Sequence, residues 1–312
     1  MTILVTGGSG YLGSHIVKQL VSGGKNVRVL VRNRQRAQQE ERLYGFDVEW
    51  VEGDVTQPET LTPAMKGINI VVHTVAIAIE KGSATYEEVN AQGTLNMVNA
   101  AKAAQVRRFI NISQLGAKSD LPYRFLASKG LAQEYVAASG LNWTTFRPSV
   151  IWGPEDEFAN TFARLAAFSP IIYPIIDRTA RFQPVWVEDV ASCVVKALYD
   201  PATIGMEYEL GGPELLTLEE IEQRALEAIG AHRIMVPLPR ALLIPIVVLM
   251  EKALPNPPVT RSLLELLAVD NVTQNNKIGY FVSVPKPFSA ENAAPYMREF
   301  KATETLRMFL GK

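Results

Sequence analysis

Three groups of residues in this chain have types and spacings suited to chemistry. The first is "TGGSGYLG" (6–13), with Gly7, Gly10 and Gly13 at three-residue intervals. A turn without side chains lets a pyrophosphate approach the backbone. A helix opening at that point offers N–H groups and a positive dipole end. That chemistry is dinucleotide binding, although such a turn can also simply pack a helix tightly on a strand. The second group is "VLVRNRQR" (29–36), which places Arg32 where an NAD site usually has an acidic residue for the ribose hydroxyls. A guanidinium cannot accept a hydroxyl proton but can fork onto a phosphate. Arg32, followed by Arg34 and Arg36, therefore predicts NADP(H), with NAD the less favoured cofactor. A solvated basic helix start is the alternative. The third group is "PYRFLASKG" (122–130). Lys129 follows Ser128, and Phe125 stands four residues earlier, where a proton-donating Tyr would share the helical face.

These groups need a scaffold, and the first half of the chain supplies one. "TILVT" (2–6), "NVRVLV" (26–31), "VEWVEG" (48–53), "INIVVHTVA" (68–76), "RFINIS" (108–113) and "WTTFRPS" (143–149) read as strands. The segments between them carry helical patterns, most ending at or near Gly. Near-continuous apolar strands alternating with helices argue for a parallel sheet covered on both faces. After about Pro154 the pattern changes. "PVWVEDVASCVVKALYD" and "LTLEEIEQRALEAIG" read as helices, the latter opening with a Thr217–Glu220 capping box. The expected architecture is α/β: a doubly wound parallel sheet over 1–153 and a smaller, mainly helical lobe over 154–312. The lobe returns segments to the sheet, is interleaved with it as one structural unit, and packs on its carboxyl edge, where open α/β sheets bind ligands.

Composition narrows the function classes. Lys+Arg 31 against Asp+Glu 32 gives a net charge of -1, so no basic excess points to nucleic acid. One cysteine, Cys193, permits no internal disulfide, and three His offer no zinc cluster. The N-terminus lacks the pattern of a signal peptide, and "ALLIPIVVLM" (241–250) is too short for a transmembrane span. The expected location is cytoplasmic, with attachment at the periphery of the inner membrane as a variant.

"TGGSGYLG", "EGDVT" (52–56), "VHTVA", "VNAQGTLNMVNAA", "RFINIS", "SKG", "FRPSVIWGP" and "PVWVEDVA" together resemble the extended short-chain dehydrogenase/reductase superfamily in order and spacing. The likeness covers about residues 1–215 well and the rest loosely. "SQLGA", the stretch from "ASKG" to "GPEDEF" and the proline-rich C-terminal half look most like an atypical branch. That branch contains the accessory NAD(P)-binding subunit of respiratory complex I and its bacterial relatives. The resemblance implies a Rossmann-type sheet of about seven parallel strands. It implies that Gly7, Gly10, Tyr11 and Leu12 meet the pyrophosphate, and that Arg32 meets the adenosine end. Asp54 and Val55 would meet the adenine, although Asp54 also reads as a turn and cap residue. Thr74, Val75 and Ala76 would line the ribose side, and Pro148, Ser149 and Val150 would meet the nicotinamide.

The same resemblance implies a catalytic Tyr, a Lys four residues later, and a Ser or Thr after the fifth strand. Lys129 is present, Phe125 replaces the Tyr, and the serine position falls at Ser113 or one residue on at Gln114. Tyr123, six residues before Lys129, is off the same face of a continuous helix and reads as a surface aromatic; a later helix start would free it to reach the pocket. His15 and His73 read as packed residues, Cys193 as a small buried hydrophobe, and Glu188 and Asp189 as first-turn charges.

Two functions follow. One is a cofactor-binding assembly, stability or redox-sensing subunit with weak hydride transfer, favoured by the missing Tyr. The other is an active NADP-dependent oxidoreductase, epimerase or dehydratase on a small or lipid-like substrate, favoured by Lys129. The expected partners are a dinucleotide, a small or lipid-like ligand and a membrane-associated protein; "PLPRALLIPIVVLMEKALPNPP" reads first as an apolar lobe covering the substrate cleft, with a docking patch for the membrane-associated partner as the alternative.

Overall fold

The structure, a computed structural model, describes residues 1–39, 41–175, 178–238, 240–267 and 269–311. The chain divides into two compact units. The first comprises Met1–Pro148, Val187–Leu210 and Asn275–Val284; the second comprises Ser149–Trp186, Gly211–Gln274 and Pro285–Lys312.

In the first unit the apolar runs become β1 (Thr2–Thr6), β2 (Asn26–Val31), β3 (Glu49–Glu52), β4 (Ile68–His73), β5 (Arg108–Ile112) and β6 (Trp143–Pro148). Between them run α1 (Tyr11–Ser22), α2 (Arg34–Gln38), α3 (Leu61–Ala64), α4 (Gly93–Ala103) and α5 (Arg124–Ala137). A π-helical turn, Glu87–Gln92, leads into α4. The chain then adds α6 (Val187–Ala197), β7 (Met206–Leu210) and α7 (Ile278–Phe281).

The strands form one parallel sheet in the order β7-β6-β5-β4-β1-β2-β3. This is the Rossmann-type doubly wound arrangement, with its switch point between β1 and β4. Helices cover both faces of such a sheet, so its central strand has to be apolar on both. Ile3, Leu4 and Val5 are accordingly fully buried. Leu4 packs in one cluster with Leu30, Val71, Met97, Val98 and Phe109, and each such burial stabilises by about 1.5–3 kcal/mol. Arg108 ties the β6 side of the sheet together. Its guanidinium donates to Asn142 O (2.9 Å), Thr144 Oγ1 (2.5 Å), Ala197 O (3.1 Å) and Thr203 Oγ1 (2.6 Å).

The second unit combines helices with two-stranded ribbons. The ribbons pair Ile151–Trp152 with Val185–Trp186, Arg181–Phe182 with Leu216–Thr217, and Ile172–Ile175 with Ile234–Pro237. Helices include Ala159–Ala166, Leu218–Ala228, Arg240–Ala253 and Ala302–Phe309. Thr217 and Glu220 form the capping box read from the sequence. Trp152, Phe162, Phe182, Ile221, Val247 and Phe288 share the core of this unit.

Candidate functional site

All strands of the sheet run the same way, so the residues that follow them collect along one edge. Gly7 follows β1, Arg32 follows β2, Asp54 lies just beyond β3, Thr74 follows β4 and Ser113 follows β5. At β1 the geometry admits only glycine. Gly7 has φ +70°, the left-handed region, and a Cβ on Gly13 would lie 2.1 Å from Gly7 O. Gly10 N donates to Gly7 O at 2.9 Å, and α1 opens at Gly10 without a side-chain cap. Thr74 closes the other side, its N and Oγ1 both donating to Thr6 O (3.2 and 2.8 Å). A Cβ on Gly7 would lie 2.7 Å from Thr74 Oγ1. A side-chain-free cradle against a helix N-terminus fits a pyrophosphate. Leu12 is buried behind it. The Tyr11 ring lies edge-on to His15, with centroids 5.6 Å apart. His15 Nδ1 pairs with Glu188 Oε1 at 2.5 Å, and Gln19 Nε2 donates to Glu188 Oε2 at 2.6 Å. The His15 hydrogen bond is the main cause holding the Glu188 carboxyl below the usual range. No local pattern signals this pairing, which spans 173 positions.

At the end of β2, Arg32 is exposed. Among the described residues no ion pair or side-chain hydrogen bond engages its guanidinium. Asn33 Oδ1 caps α2 by accepting from Arg36 N (2.8 Å), and Glu52 Oε1 accepts from Arg34 N (2.9 Å). Arg34 and Arg36 are also exposed. Arg42, which no motif singled out, donates from Nη1 to Ser9 O at 3.4 Å and so reaches the glycine turn. Its only sequence signal is a cation in the segment after β2. Asp54 Oδ1 accepts from Thr56 N and Thr56 Oγ1, both at 2.9 Å, which is the turn role weighed for it. Val55 is buried, and its carbonyl accepts from Asn96 Nδ2 at 2.8 Å.

Beyond β4, Thr74 and Val75 are half-buried and Ala76 is exposed. Asn90 then binds this segment to α5. Its Oδ1 accepts from Ile77 N (2.8 Å), and its Nδ2 donates to Ile77 O (3.2 Å) and Ser128 Oγ (3.1 Å). On α5 the four-residue step aligns Phe125, Lys129 and Gln133, all buried. Lys129 Nζ donates to Ile112 O at 2.6 Å, which uses one of its three N–H groups. Burial lowers its pKa to about 8. Ser113 is buried and its Oγ donates to Gln133 Oε1. Gln114 is half-buried. Phe125 lies edge-on to Tyr86 at 5.6 Å, and Tyr86 OH donates to Ala78 O at 2.8 Å. The helix begins at Arg124, so Tyr123 is its N-cap, half-buried with extended backbone.

His73 is core, as expected. Thr94 Oγ1 donates to Asn90 O (2.6 Å) and therefore accepts from His73 Nε2 (3.0 Å), leaving Nδ1 to accept from Thr6 Oγ1 (2.7 Å). Burial first, and the Lys129 charge second, lower its pKa to about 3. Cys193 is fully buried, and burial pushes its thiol pKa up. Pro148 ends β6, its carbonyl accepting from Leu115 N at 3.0 Å. Ser149 and Val150 belong to the second unit, where Asn271 Oδ1 accepts from Ser149 Oγ (2.7 Å) and Val150 N (2.9 Å).

Residues 7–201, well over half of the chain, match the model of the NAD(P)H-binding family. Among curated proteins, the mitochondrial NADH dehydrogenase (ubiquinone) 1 alpha subcomplex subunit 9 of Arabidopsis thaliana is 31% identical over 226 residues, covering 70% of this chain and 56% of that protein. The chain thus matches little more than half of the plant subunit's length. The ceramide reductase of Caulobacter vibrioides is 30% identical over 241 residues, covering 76% of this chain and 73% of the reductase. Among solved structures, gox2253 matches with a TM-score of 0.72 at 25% identity, covering 98% of each chain. The glycine cradle, the seven-stranded parallel sheet and these likenesses agree: the chain belongs to the NAD(P)H-binding family, as an atypical extended short-chain dehydrogenase/reductase.

Proposed function

We propose that this protein holds NADP(H) in preference to NAD(H) and transfers hydride poorly, acting as a cofactor-binding subunit in assembly, stability or redox sensing. The observation that carries the cofactor choice is the exposed Arg32 guanidinium at the end of β2, where a ribose-binding carboxylate would favour NAD. Arg42, anchored on Ser9 O, adds a second cation beside the cradle. Gly7, Gly10 and the first turn of α1, with Tyr11, Leu12 and Gly13, would hold the pyrophosphate. Arg32, with Arg36 nearby, would take the 2′-phosphate, and Asp54 and Val55 would border the adenine. Thr74, Val75 and Ala76 would border the ribose, and Pro148, Ser149 and Val150 the nicotinamide. NADP(H) supplies the hydride chemistry when bound.

Poor transfer rests on Phe125. It occupies the place on α5, four residues before Lys129, where a phenol would pass a proton, and its ring has no proton to give. Lys129 keeps N–H groups for a ribose hydroxyl, and a pKa of about 8 leaves it largely protonated near neutral pH. Losing a positioned general acid removes about 10²–10⁴ in rate. NADPH oxidation against a panel of carbonyl compounds, long-chain ketones included, should therefore proceed far below ordinary enzyme rates. Phe125→Tyr should keep cofactor affinity.

A second reading is an active reductase on a lipid-like carbonyl compound. It is favoured by the buried Lys129 beside Ser113 and Gln133, and by the likeness to a ceramide reductase. Rapid NADPH oxidation with a long-chain ketone, abolished by Lys129→Ala, would establish it and reject the first.

A further inference from the structure

Helix Arg240–Ala253 in the second unit buries only a narrow strip. Leu243 and Val247 are buried, while Leu242, Ile244, Ile246 and Leu249 are 44–67% exposed. At about 100° per residue, Leu242, Pro245, Ile246 and Leu249 share one face. Val248 and Ile244 extend it to one side, and Lys252 projects from within that extended face. A helix with an aliphatic solvent side inverts the usual pattern for a surface helix. The ribbon that precedes the helix also exposes apolar side chains, where Ile234 pairs with Ile172 and Val236 with Pro174, all four on the exposed face. The end of helix Ala302–Phe309, carrying exposed Leu306, Arg307 and Met308, is tied nearby by Asn256 Nδ2 donating to Met308 O at 3.2 Å.

Among the described residues, unpaired cations stand beside this surface, and its nearby acids are paired. Residues 234–250 contain a single charged residue, Arg240, and no acid. Lys252 and Arg307 are exposed, and the exposed Glu304 on the helix of Arg307 pairs with Arg298 (3.5 Å). The one nearby carboxylate on the helix, Glu251, is taken by Arg261 (Nε–Oε2 2.7 Å). Exposed aliphatic side chains accompanied by exposed Lys252 and Arg307 match an anionic bilayer surface. There the aliphatic groups enter the acyl boundary while Lys and Arg stems reach back to the headgroups. Among the described residues no helix is long and apolar enough to cross a membrane, and the helix, of 14 residues, suits lying in the interface.

We propose that this face of the second unit docks on an anionic lipid surface. The proposal goes beyond the cofactor reading and does not depend on it. It is tested by co-sedimenting the full chain with phosphatidylcholine vesicles containing about one third phosphatidylglycerol, and with phosphatidylcholine alone. The chain should sediment with the mixed vesicles and more weakly with the neutral ones. Joint replacement Leu242→Ser, Ile246→Ser and Leu249→Ser should cut the bound fraction at least about tenfold with the circular dichroism spectrum unchanged. Lys252→Glu with Arg307→Glu should remove the preference for anionic lipid. The proposal is overturned by absence of sedimentation with either vesicle, or by a triple-serine variant that binds as well as the unmutated chain. It is also overturned if that variant converts a dimer to a monomer while the unmutated chain ignores lipid, which would make a second copy the occupant.

Discussion

Lys129 and Arg32 carry most of the functional argument at the scale of single residues. Lys129 is a buried amine whose folded pKa lies below its unfolded value, so the unfolded chain binds more protons between about pH 8 and 10.5. Stability should rise with pH across that window, and below it the buried charge carries a constant cost. Lys129→Met should therefore raise the melting temperature at pH 7, with the difference fading above about pH 10. The same substitution should weaken NADPH binding by about 1–3 kcal/mol, measured by calorimetry. A cation kept against stability beside a ligand cradle is the pattern of a working residue. Arg32→Asp should weaken NADPH by about 1.5–3 kcal/mol and leave NADH unchanged or tighter. Arg42→Ala should act in the same direction if its anchor on Ser9 O places it at the phosphate end, and affinity ratios for the two cofactors read this directly.

At the scale of elements, the turn between β1 and α1 is the tightest constraint. Gly13→Ala would put a Cβ 2.1 Å from a backbone oxygen that cannot yield without moving α1 off the strand. Loss of cofactor binding with a stability loss of about 3 kcal/mol or more is expected, read by titration and urea unfolding. The β1–β6 strands and the Thr217 capping box were legible because local signals decide them: apolar runs, glycine punctuation and a three-residue capping spacing. β7, "MEYEL", was not read as a strand, because an edge strand with Glu207 and Glu209 exposes one row and breaks the apolar run. Its place beside β6 rests on long-range pairing, which local sequence does not report. The same limit hid Arg42 on Ser9 and Glu188 on His15, both contacts between residues distant in sequence. Asp54 was legible only as a pair of alternatives, and its hydrogen bonds to Thr56 supply the turn role.

At the scale of the whole molecule, buried groups in the two units respond to pH in opposite directions. His73 in the first unit has a folded pKa near 3, so the unfolded chain binds the extra proton and stability falls as pH drops from about 6.5. In the second unit Asp156 is raised to about 6 and Glu222 to about 8, both chiefly by burial, and Glu222 Oε2 has no hydrogen-bond partner among the described residues. Their folded forms hold protons more tightly, so their contribution is lost as pH rises through those values. Glu222→Gln should leave the melting temperature unchanged at pH 5 and raise stability by about 1–3 kcal/mol at pH 8. Across the whole chain, the central claim is that this fold presents a cradle for a dinucleotide with a 2′-phosphate. Calorimetric titration of the unmutated protein with NADPH and NADH, side by side at one salt concentration, tests it most directly. NADPH should bind at least about tenfold tighter; equal affinities, or tighter NADH, would overturn the 2′-phosphate assignment.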